Sequence, residues 1–186
     1  MSDIKKLMTP LTWEQVKDLK AGDQVAITGV IYTARDAAHK LMVEALKEGK
    51  ELPVDFTNQV VYYAGPTPAK PGKVIGSCGP TTSGRMDAYS PTMMEQGLRG
   101  MIGKGPRSKD VIEAMKKHGV VYFAAIGGAA ALIADSVKKA DVVAYSELGP
   151  EAIRRLEVEG YPCIVAIDCE GNNLYELGVQ KYRVTE

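Results

Sequence analysis

The sequence predicts an α/β fold with a largely buried sheet flanked by helices. Short apolar runs alternate along the chain with segments in which apolar residues recur at helical spacing. The strand-like runs contain few polar residues, which is typical of a sheet that is covered on both faces. A length of 186 residues suits one compact domain with a sizeable core, so we expect a single domain over residues 1–186.

The first third of the chain contains two predicted helices with a strand between them. Thr12 is expected to cap a short helix over 13–19, and a strand follows over 25–33. The second helix is the clearest in the sequence: it is predicted to start at Asp36, where a carboxylate suits the helix dipole, and to end at Gly49. One face of this helix carries apolar residues at the spacing i, i+3, i+4 and i+7, namely Ala38, Leu41, Met42 and Ala45.

The remaining elements are assigned from their apolar period and their flanking turn residues. We expect strands over 60–65, 73–79, 101–105, 120–128, 141–147 and 163–168, and helices over 90–98, 109–118, 128–140 and 151–160. Ser108 is predicted to cap the helix over 109–118, and Gly119 to end it. A turn at 170–173 leads into the last segment.

Composition and charge narrow the functional classes. Lys and Arg together number 23, as do Asp and Glu, so the net charge is +0. A nucleic-acid-binding protein usually has a basic excess or a basic stripe, and we see neither. No apolar run reaches the roughly eighteen residues of a membrane span, and no apolar stretch follows Lys5 and Lys6 as in a signal peptide. We therefore expect a cytoplasmic protein that binds neither nucleic acid nor membrane.

The segment from Gly76 to Asp87, GSCGPTTSGRMD, combines groups that suit an anion. Its glycines permit close approach of the backbone to a ligand, and its threonine hydroxyls can donate hydrogen bonds. Arg85 has a planar fork that matches a carboxylate in two parallel hydrogen bonds. Neither a GxxxxGK[ST] pattern nor a GxGxxG pattern is present, so a phosphate loop is not indicated. Spacing alone leaves both an anion site and a structural turn open.

Two other predicted strand ends also carry a cation. Arg35 lies between a predicted strand and helix, four residues before His39, and Lys104 stands between two glycines after another strand. Ligands of open α/β sheets collect at the carboxyl ends of strands, and three cations there would suit a small dianion. The alternative is that each cation is merely solvated at the surface.

Several motifs together resemble one enzyme family. GPTTSGRMD, the upstream RDAAH and the downstream GKG resemble the β subunit, or C-terminal domain, of class I fumarate hydratases, and are similar to tartrate dehydratase β subunits. The ending YSELGPEAIRRLEVEGYPCIVAIDCEGNNLY resembles that of the family, so the resemblance covers nearly the whole chain. The residues Gly84-Arg85-Met86-Asp87 favour fumarate, because tartrate dehydratases tend to lose this glycine and to carry Glu after the methionine.

This resemblance implies a compact swivelling β/β/α domain and reversible addition of water to fumarate, giving L-malate. It implies a [4Fe–4S] cluster with one iron free of protein thiolate, which acts as a Lewis acid. The cluster would be held by a separate α subunit and not by this chain, which we expect to be inactive alone. The expected partners are therefore that α subunit and a C4 dicarboxylate, in a complex that could form a higher oligomer.

The resemblance also assigns roles to single residues. Arg35, Arg85, Lys104 and Thr82 would bind the substrate, and Thr81 would lie near the proton at C3, either as a base or as a hydrogen-bonding positioner. A threonine hydroxyl is a weak base, and the candidate activator is Arg35. Two residues would act indirectly: Asp87 by orienting Arg85, and His39 by orienting Arg35 unless it faces solvent.

The cysteines are not expected to hold the cluster. Cys78, Cys163 and Cys169 are odd in number, widely spaced and outside any CxxC pair, so neither a disulfide framework nor a cluster site is indicated. Free cysteines commonly behave as small buried hydrophobic residues. Three functions stay open: a fumarate hydratase subunit, a subunit of a dehydratase for tartrate or another hydroxy-dicarboxylate, and a non-catalytic dicarboxylate-binding module.

Overall fold

A computed structural model describes residues 4–125 and 130–182. Its strands are β1 (Lys5–Met8), β2 (Gln24–Thr33), β3 (Val60–Tyr62), β4 (Gly100–Gly103), β5 (Val121–Ala125), β6 (Val137–Ala144) and β7 (Ile153–Ile167). Its α-helices are α1 (Trp13–Val16), α2 (Asp36–Lys47), α3 (Ser90–Glu95), α4 (Lys109–His118), α5 (Ala130–Ser136) and α6 (Leu174–Tyr182), and 3-10 helices span Ser83–Met86 and Ser146–Glu151. None of the helices in the described ranges has the length and apolar character needed to cross a membrane.

The strands form one mixed sheet that closes on itself. The seven strands lie in the order β1-β2-β3-β4-β5-β7-β6, and β7 also pairs with β2. Strands β1 to β5 are mutually parallel, whereas β7 runs antiparallel to β2, β5 and β6. Helices precede or follow most of these strands, so the α/β class predicted from the sequence is confirmed.

Both faces of the sheet are buried along β3, β4 and β5, as the unbroken apolar runs predicted. Along β3, Val60 and Tyr62 belong to one hydrophobic cluster, and Val61 between them belongs to another. The first cluster fills the inside of the closed sheet, where the rings of Tyr62 and Tyr161 meet edge to face at 5.5 Å. The second cluster joins the outer face to α2, α3 and α4. Burial on both faces explains why these central strands lack the alternation of a half-exposed sheet, whereas β2 and β6 keep partly exposed positions.

The predicted helix ends are largely confirmed. Thr12 caps α1, and its backbone N–H donates in return to the side chain of Gln15, which completes a capping box. This helix ends at Val16, earlier than predicted. The hydroxyl of Ser108 accepts from the backbone N–H of Val111 at 3.4 Å to cap α4, and Gly119 ends that helix with a φ of 65°.

The helix predicted over 151–160 is wrong, because residues 153–160 form the first half of β7. Arg, Leu and Glu are good helix formers, so local propensity favours a helix there. In the fold, β2 pairs with one side of this half of β7 and β6 with the other. These two ladders satisfy the backbone and bury Ile153, Leu156 and Val158. Pairing with distant segments therefore overrides the local preference.

Residues 73–79 are not a strand, contrary to prediction. This segment folds back on the loop before it: the N–H of Thr67 donates to the carbonyl of Ser77 at 3.0 Å. A Cβ added at Gly76 would overlap the carbonyl oxygen of Thr67, so only glycine permits this approach. The Tyr62 hydroxyl donates to the carbonyl of Cys78 at 2.6 Å and fixes the end of the segment against the sheet.

The boundary predicted within 128–140 also differs. The helix α5 stops at Ser136, and the sequence from Val137 onward already belongs to β6, which pairs with β7. The predicted strand over 120–128 is found as β5 up to Ala125, and its remaining residues lie outside the described part of the chain.

A stability test follows from the bulge in β2. Gly29 has a φ of 120° at a register shift between β2 and β7, and an added Cβ would overlap the Thr9 hydroxyl and lie 3.0 Å from the Thr9 carbonyl oxygen. We expect Gly29→Ala to lower the free energy of unfolding by roughly 3 kcal/mol, through left-handed strain plus the clash. Urea unfolding followed by circular dichroism measures this loss.

Gly49→Ala is the matched control for Gly29→Ala. Gly49 also has a positive φ, 72°, but nothing lies within 4 Å of an added Cβ. Gly49→Ala should lower the free energy of unfolding by only about 1–2 kcal/mol, the penalty of the left-handed conformation alone. Equal losses in the two variants would show that the contact with Thr9 does not constrain the bulge.

Candidate functional site

The cations predicted from the sequence lie at one end of the closed sheet. Arg35 comes two residues after β2 ends at Thr33, and Lys104 directly follows β4. Because β2, β3 and β4 are parallel neighbours, their carboxyl ends lie together at this end of the sheet, which we call the cation-bearing edge. The side chain of Arg35 is 22% exposed and that of Arg85 54% exposed. Both guanidinium groups can therefore be reached from solvent at this edge.

The loop before Arg85 runs between the ends of β3 and β4. The Thr81 N–H donates to the carbonyl of Tyr63 at 2.7 Å, just beyond the end of β3. Thr82 forms an isolated parallel bridge with Lys104, just beyond the end of β4. The two threonines are thus fixed by backbone hydrogen bonds beside Lys104. The half-buried side chain of Thr81 and the exposed side chain of Thr82 lie at the same edge as the cations.

Two acidic residues contact the two arginines. Arg85 Nε donates to Asp36 Oδ1 at 2.8 Å, and Asp36 Oδ2 lies 3.9 Å from Arg35 Nε. Arg35 Nη2 also lies 3.4 Å from Oε1 of Glu151, whose other carboxylate oxygen accepts from the Ala37 N–H at 3.0 Å. Glu151 therefore holds the first turn of α2 and the side chain of Arg35 together.

Asp87 has a different partner from the one expected. Its carboxylate accepts from Arg107 Nε at 2.7 Å through one oxygen and from the Ser108 N–H at 2.7 Å through the other. The expected contact with Arg85 is made by Asp36 instead. Asp87 thus connects the 3-10 helix Ser83–Met86, which it follows, to the loop that carries Lys104.

Arg107 is a fully buried cation at the centre of this arrangement. Its side chain has an exposure of 0%, and its guanidinium carbon lies 5.3 Å and 5.1 Å from the ring centroids of Tyr63 and Tyr122. Burial alone lowers the pKa of Arg107, but Tyr63 and Asp87 raise the pKa overall, so the guanidinium stays charged. A further hydrogen bond at 2.7 Å joins Arg107 Nη2 to the Ser90 hydroxyl.

Two tyrosine hydroxyls hold the loop after Lys104. The Tyr122 hydroxyl donates to the carbonyl of Gly105 at 2.9 Å and lies 2.8 Å from the Ser83 hydroxyl. The Tyr175 hydroxyl, on α6, accepts from the Gly105 N–H at 3.1 Å. Burial raises the pKa of Tyr122, which keeps its proton available for donation. Both backbone polar groups of Gly105 are therefore fixed by side chains, which restrains the position of Lys104.

His39 is buried, so it does not face solvent. Its Nδ1–H donates to the backbone carbonyl of Arg35 at 2.8 Å, and its ring lies 5.5 Å from Tyr63 and 6.1 Å from Tyr89. Burial is the main reason that the pKa of His39 is lowered to about 4, and the nearby charge of Arg107 lowers the pKa further. The imidazole is therefore neutral near pH 7 and contacts the backbone of Arg35, not its side chain.

The cysteines do not suit an iron–sulfur cluster. Cys78, Cys163 and Cys169 are all buried among apolar side chains of the inner cluster. Burial raises the pKa of the Cys78 thiol to about 12 and also raises the pKa values of Cys163 and Cys169. Thiolates, not neutral thiols, ligate iron. These residues therefore fit the role of small hydrophobic core residues better than that of cluster ligands.

The main cavities among the described residues are lined by other segments than the predicted site residues. One of about 580 Å³ is lined by the 67–77 loop and by the 134–138 segment, one of about 390 Å³ by residues 46–57 and Gln96, and one of about 340 Å³ by the 66–75 loop, Pro150 and Arg154. None of the three is lined by Arg35, Arg85, Lys104 or Thr81. We assign the site by its converging cations and hydroxyls, because a chain can contribute functional groups from an open edge as well as from a cavity.

Several residues of this site were missed from the sequence. Arg107 lies in the same GKGPRS segment as Lys104, but the sequence predicted no role for it. Asp36 was interpreted only as a helix-start residue. Glu151, Tyr122 and Tyr175 come from distant segments, and no local pattern connects them to the arginines. The local signal for these contacts is the position of Asp36 directly after Arg35 in the sequence.

Acid should destabilise the fold through His39. Its pKa is lowered to about 4 in the folded chain from a usual value of 6.5, so the unfolded chain binds more protons between these values. Folding stability is therefore complete above about pH 6.5 and falls as the pH drops toward 4, by about 3 kcal/mol. Urea unfolding measured across this range should show a flatter pH dependence for His39→Gln than for the parent.

His118→Gln is the control, because His118 is the other of the two histidines. The slope that His39 contributes should persist in His118→Gln. Equal slopes for His39→Gln and the parent would contradict the role of His39.

Comparison with known proteins shows what this chain is similar to. Residues 3–178 match the profile of the family described as Fumarase C-terminus. A Methanocaldococcus jannaschii protein with the provisional name L(+)-tartrate dehydratase subunit beta is 45% identical over 172 residues, covering 89% of this chain and 88% of that protein. The anaerobic class I fumarate hydratase of Escherichia coli K12 is 41% identical, covering 90% of this chain and 31% of the enzyme.

Fumarate hydratase 2 of Leishmania major is 40% identical, with 87% of this chain and 29% of the enzyme covered. The chain therefore spans nearly the whole of the tartrate dehydratase subunit but only about a third of each fumarate hydratase. The profile match over most of its length shows that this chain belongs to the Fumarase C-terminus family.

Proposed function

We propose that this chain is the β subunit of a cytoplasmic, two-subunit hydro-lyase that interconverts fumarate and L-malate. The observation that carries this proposal is the convergence of Arg35, Arg85 and Lys104 beside Thr81 at one edge of the sheet in a member of this family. Three cations and two hydroxyls suit a small dianion that has two carboxylates. The whole chain, residues 1–186, would act as one swivelling domain.

The lengths of the relatives support a second subunit. The fumarate hydratases are about three times as long as the part that this chain matches. The remaining two thirds of the enzyme would then correspond to a separate α subunit. A relative named as a subunit beta, which this chain covers almost completely, supports the same division.

The α subunit would also hold a [4Fe–4S] cluster. When bound there, the cluster supplies a Lewis acid for the hydroxyl and an adjacent carboxylate of the substrate. The buried, protonated cysteines of this chain do not suit such a group, so its contribution comes from its cations and hydroxyls.

The substrate carboxylates would bind the arginines and the lysine. Arg85 is held through Nε by Asp36, so its two terminal nitrogens can meet a carboxylate in parallel hydrogen bonds. Lys104 would add a point charge from a loop that Tyr122 and Tyr175 restrain. The Thr82 hydroxyl, beside Lys104, would donate a further hydrogen bond. Placing these groups on a rigid edge reduces the entropy lost on binding.

Thr81 would act at the proton on C3. In the dehydration of malate this proton leaves C3 as the hydroxyl leaves C2, and in hydration it returns. Either the ionised Thr81 oxygen, a form that Arg35 would favour, accepts this proton and becomes a hydroxyl, or the neutral hydroxyl positions the substrate through a hydrogen bond. Its backbone is fixed by the bond to Tyr63, so either role would be performed from a rigid position.

Tartrate is the second candidate substrate. The 45% identity to the tartrate dehydratase subunit favours it. Gly84 and Asp87 favour fumarate, because tartrate dehydratase β subunits tend to lack this glycine and to carry Glu after the methionine.

Dependence on a partner tests this proposal. We expect the purified chain to be colourless and inactive, because its cysteines do not suit a cluster. Co-expression with a cluster-bearing α subunit should give a brown, oxygen-sensitive complex that hydrates fumarate, and comparing fumarate with L-tartrate decides between the two substrates. An active, iron-containing preparation of the chain alone would contradict the proposal, as would tight dicarboxylate binding by the chain alone without activity in the complex.

Substitution of Arg85 tests the carboxylate contact. Lysine keeps the charge but loses the fork, so Arg85→Lys should reduce kcat/KM by more than tenfold, a loss of about 1.4 kcal/mol or more of transition-state stabilisation. Steady-state kinetics of the complex measures this loss. Arg155→Lys is the control, because Arg155 pairs with Glu157. Equal kinetics for the two variants would remove Arg85 from the site.

Thr81 allows chemistry and positioning to be separated. Thr81→Ser keeps the hydroxyl and should retain most activity. Thr81→Val keeps the branched shape without the hydroxyl, and we expect at least a hundredfold loss in kcat, about 2.7 kcal/mol, with little change in KM. Proton exchange at C3 of malate should fall in parallel. If the valine variant exchanged this proton at the parent rate, the base would lie on the α subunit.

A further inference from the structure

We propose that Asp36 is a positioning residue that sets the separation and orientation of the two arginines for a C4 dicarboxylate. This inference rests on the proposed function and adds a residue to which the sequence assigned no role in the site. Asp36 is the first residue of α2, and its carboxylate faces Arg85 on one side and Arg35 on the other.

The contact with Arg85 is a short, charge-assisted hydrogen bond. Asp36 Oδ1 accepts from Arg85 Nε at 2.8 Å, although the Arg85 side chain is 54% exposed. A long exposed side chain otherwise samples many rotamers, so a bond at Nε selects one orientation of the guanidinium plane. It also leaves the edge formed by the two terminal nitrogens pointing away from the bond, where a carboxylate can bind in parallel hydrogen bonds.

The contact with Arg35 is electrostatic and comes from the same carboxylate. Asp36 Oδ2 lies 3.9 Å from Arg35 Nε, and both atoms are buried without a hydrogen-bond partner among the described residues. Arg35 is restrained independently by Glu151 and by close packing against Gly65, where an added Cβ would lie 2.9 Å from Nη1. Asp36 therefore connects the exposed arginine to the restrained one.

The backbone of Asp36 is itself well fixed. The next residue, Ala37, donates its N–H to Glu151 at 3.0 Å, and the carbonyl of the preceding Arg35 accepts from the His39 ring at 2.8 Å. The carboxylate thus projects from a rigid helix start toward the 3-10 helix that carries Arg85. A positioning group on a regular element is more precise than one on a loop.

Asp36 has a simpler possible role as the acidic residue in the first turn of α2. Acids there stabilise a helix through its dipole, by roughly 0.3–1 kcal/mol at an exposed site. Asp110 has the same place in the first turn of α4 and provides a matched control. If both acids act only on the helix dipole, Asp36→Ala and Asp110→Ala should lose similar stability and bind substrate equally well. A positioning role for Asp36 predicts weaker substrate binding in Asp36→Ala alone.

Kinetics of the complex with the α subunit tests the proposal. We expect Asp36→Ala to lower kcat/KM for fumarate by about tenfold, and to raise the inhibition constant of succinate, a C4 dicarboxylate that does not react, by a similar factor. Asp36→Asn should keep kcat/KM within about threefold of the parent value, because its amide oxygen still accepts a hydrogen bond from Arg85 Nε. Asp110→Ala should match the parent. Asp36→Ala combined with Arg85→Lys should be little worse than Arg85→Lys alone, since the two residues act together.

A second measurement on the chain alone separates this proposal from the proposed function. The Arg85 Nε–H should give a slowly exchanging signal in proton–nitrogen NMR, identified by its loss in Arg85→Lys. Asp36→Ala should make this signal exchange fast or disappear, and Asp36→Asn should retain it. An unchanged signal in Asp36→Ala, or kinetics equal to those of Asp110→Ala, overturns the role of Asp36. If the parent complex turned over no dicarboxylate, the proposed function would fail, while the NMR signal would still decide the contact.

Discussion

The long strand β7 is the constraint on which the rest of this structure depends. It pairs with β2 along most of its length, and its other side pairs first with β6 and then with β5. Strands β2 to β5 form a parallel row, and without β7 this row would be an open sheet with two exposed edges. Its closure by β7 encloses the inner core, and it fixes the relative positions of the strand ends that carry the cations.

The proposed site divides into a rigid buried part and an accessible part. The buried part is centred on Arg107, which packs between two tyrosine rings and pairs with Asp87. Removing one member of such a pair leaves an uncompensated buried charge, which costs several kcal/mol, so the pair acts as a unit. Around it, the Thr81–Asp87 loop and the Lys104 loop are joined by hydrogen bonds to Ser83, Ser90 and Gly105. The exposed groups then need little further ordering to bind an anion.

The accessible part has a balance of charge that suits a dianion. Asp36 and Glu151 offset part of the charge of the two arginines, and Lys104 is exposed beside them. Asp36 contacts Arg85 through Nε, so it orients this cation without occupying the two terminal nitrogens. A partner that completes the proposed site would close this open edge and exclude water, which strengthens each of these interactions. An open edge of cations can therefore serve the proposed function once a partner covers it.

The sequence by itself determined the α/β class, the two best-defined helices and the positions of the cations at strand ends. These features depend on short-range rules: apolar period, capping residues and glycine stops. The resemblance carried by GPTTSGRMD, RDAAH and GKG determined the family, which the comparisons confirm. The roles expected of Arg35, Arg85, Lys104, Thr81 and Thr82 remain predictions, although the fold brings their backbones together at one edge.

Only the tertiary structure decided that residues 153–160 form a strand, that 73–79 do not, and that Asp87 pairs with Arg107 while Asp36 contacts Arg85. In each case the deciding partner is distant in the sequence. The first half of β7 has good helix formers, yet two neighbouring strands satisfy its backbone. The carboxylates that hold the arginines come from the start of α2 and from residue 151, and no local pattern encodes their proximity. Local free energies fix the short elements, whereas pairing between distant segments fixes which elements and charges meet.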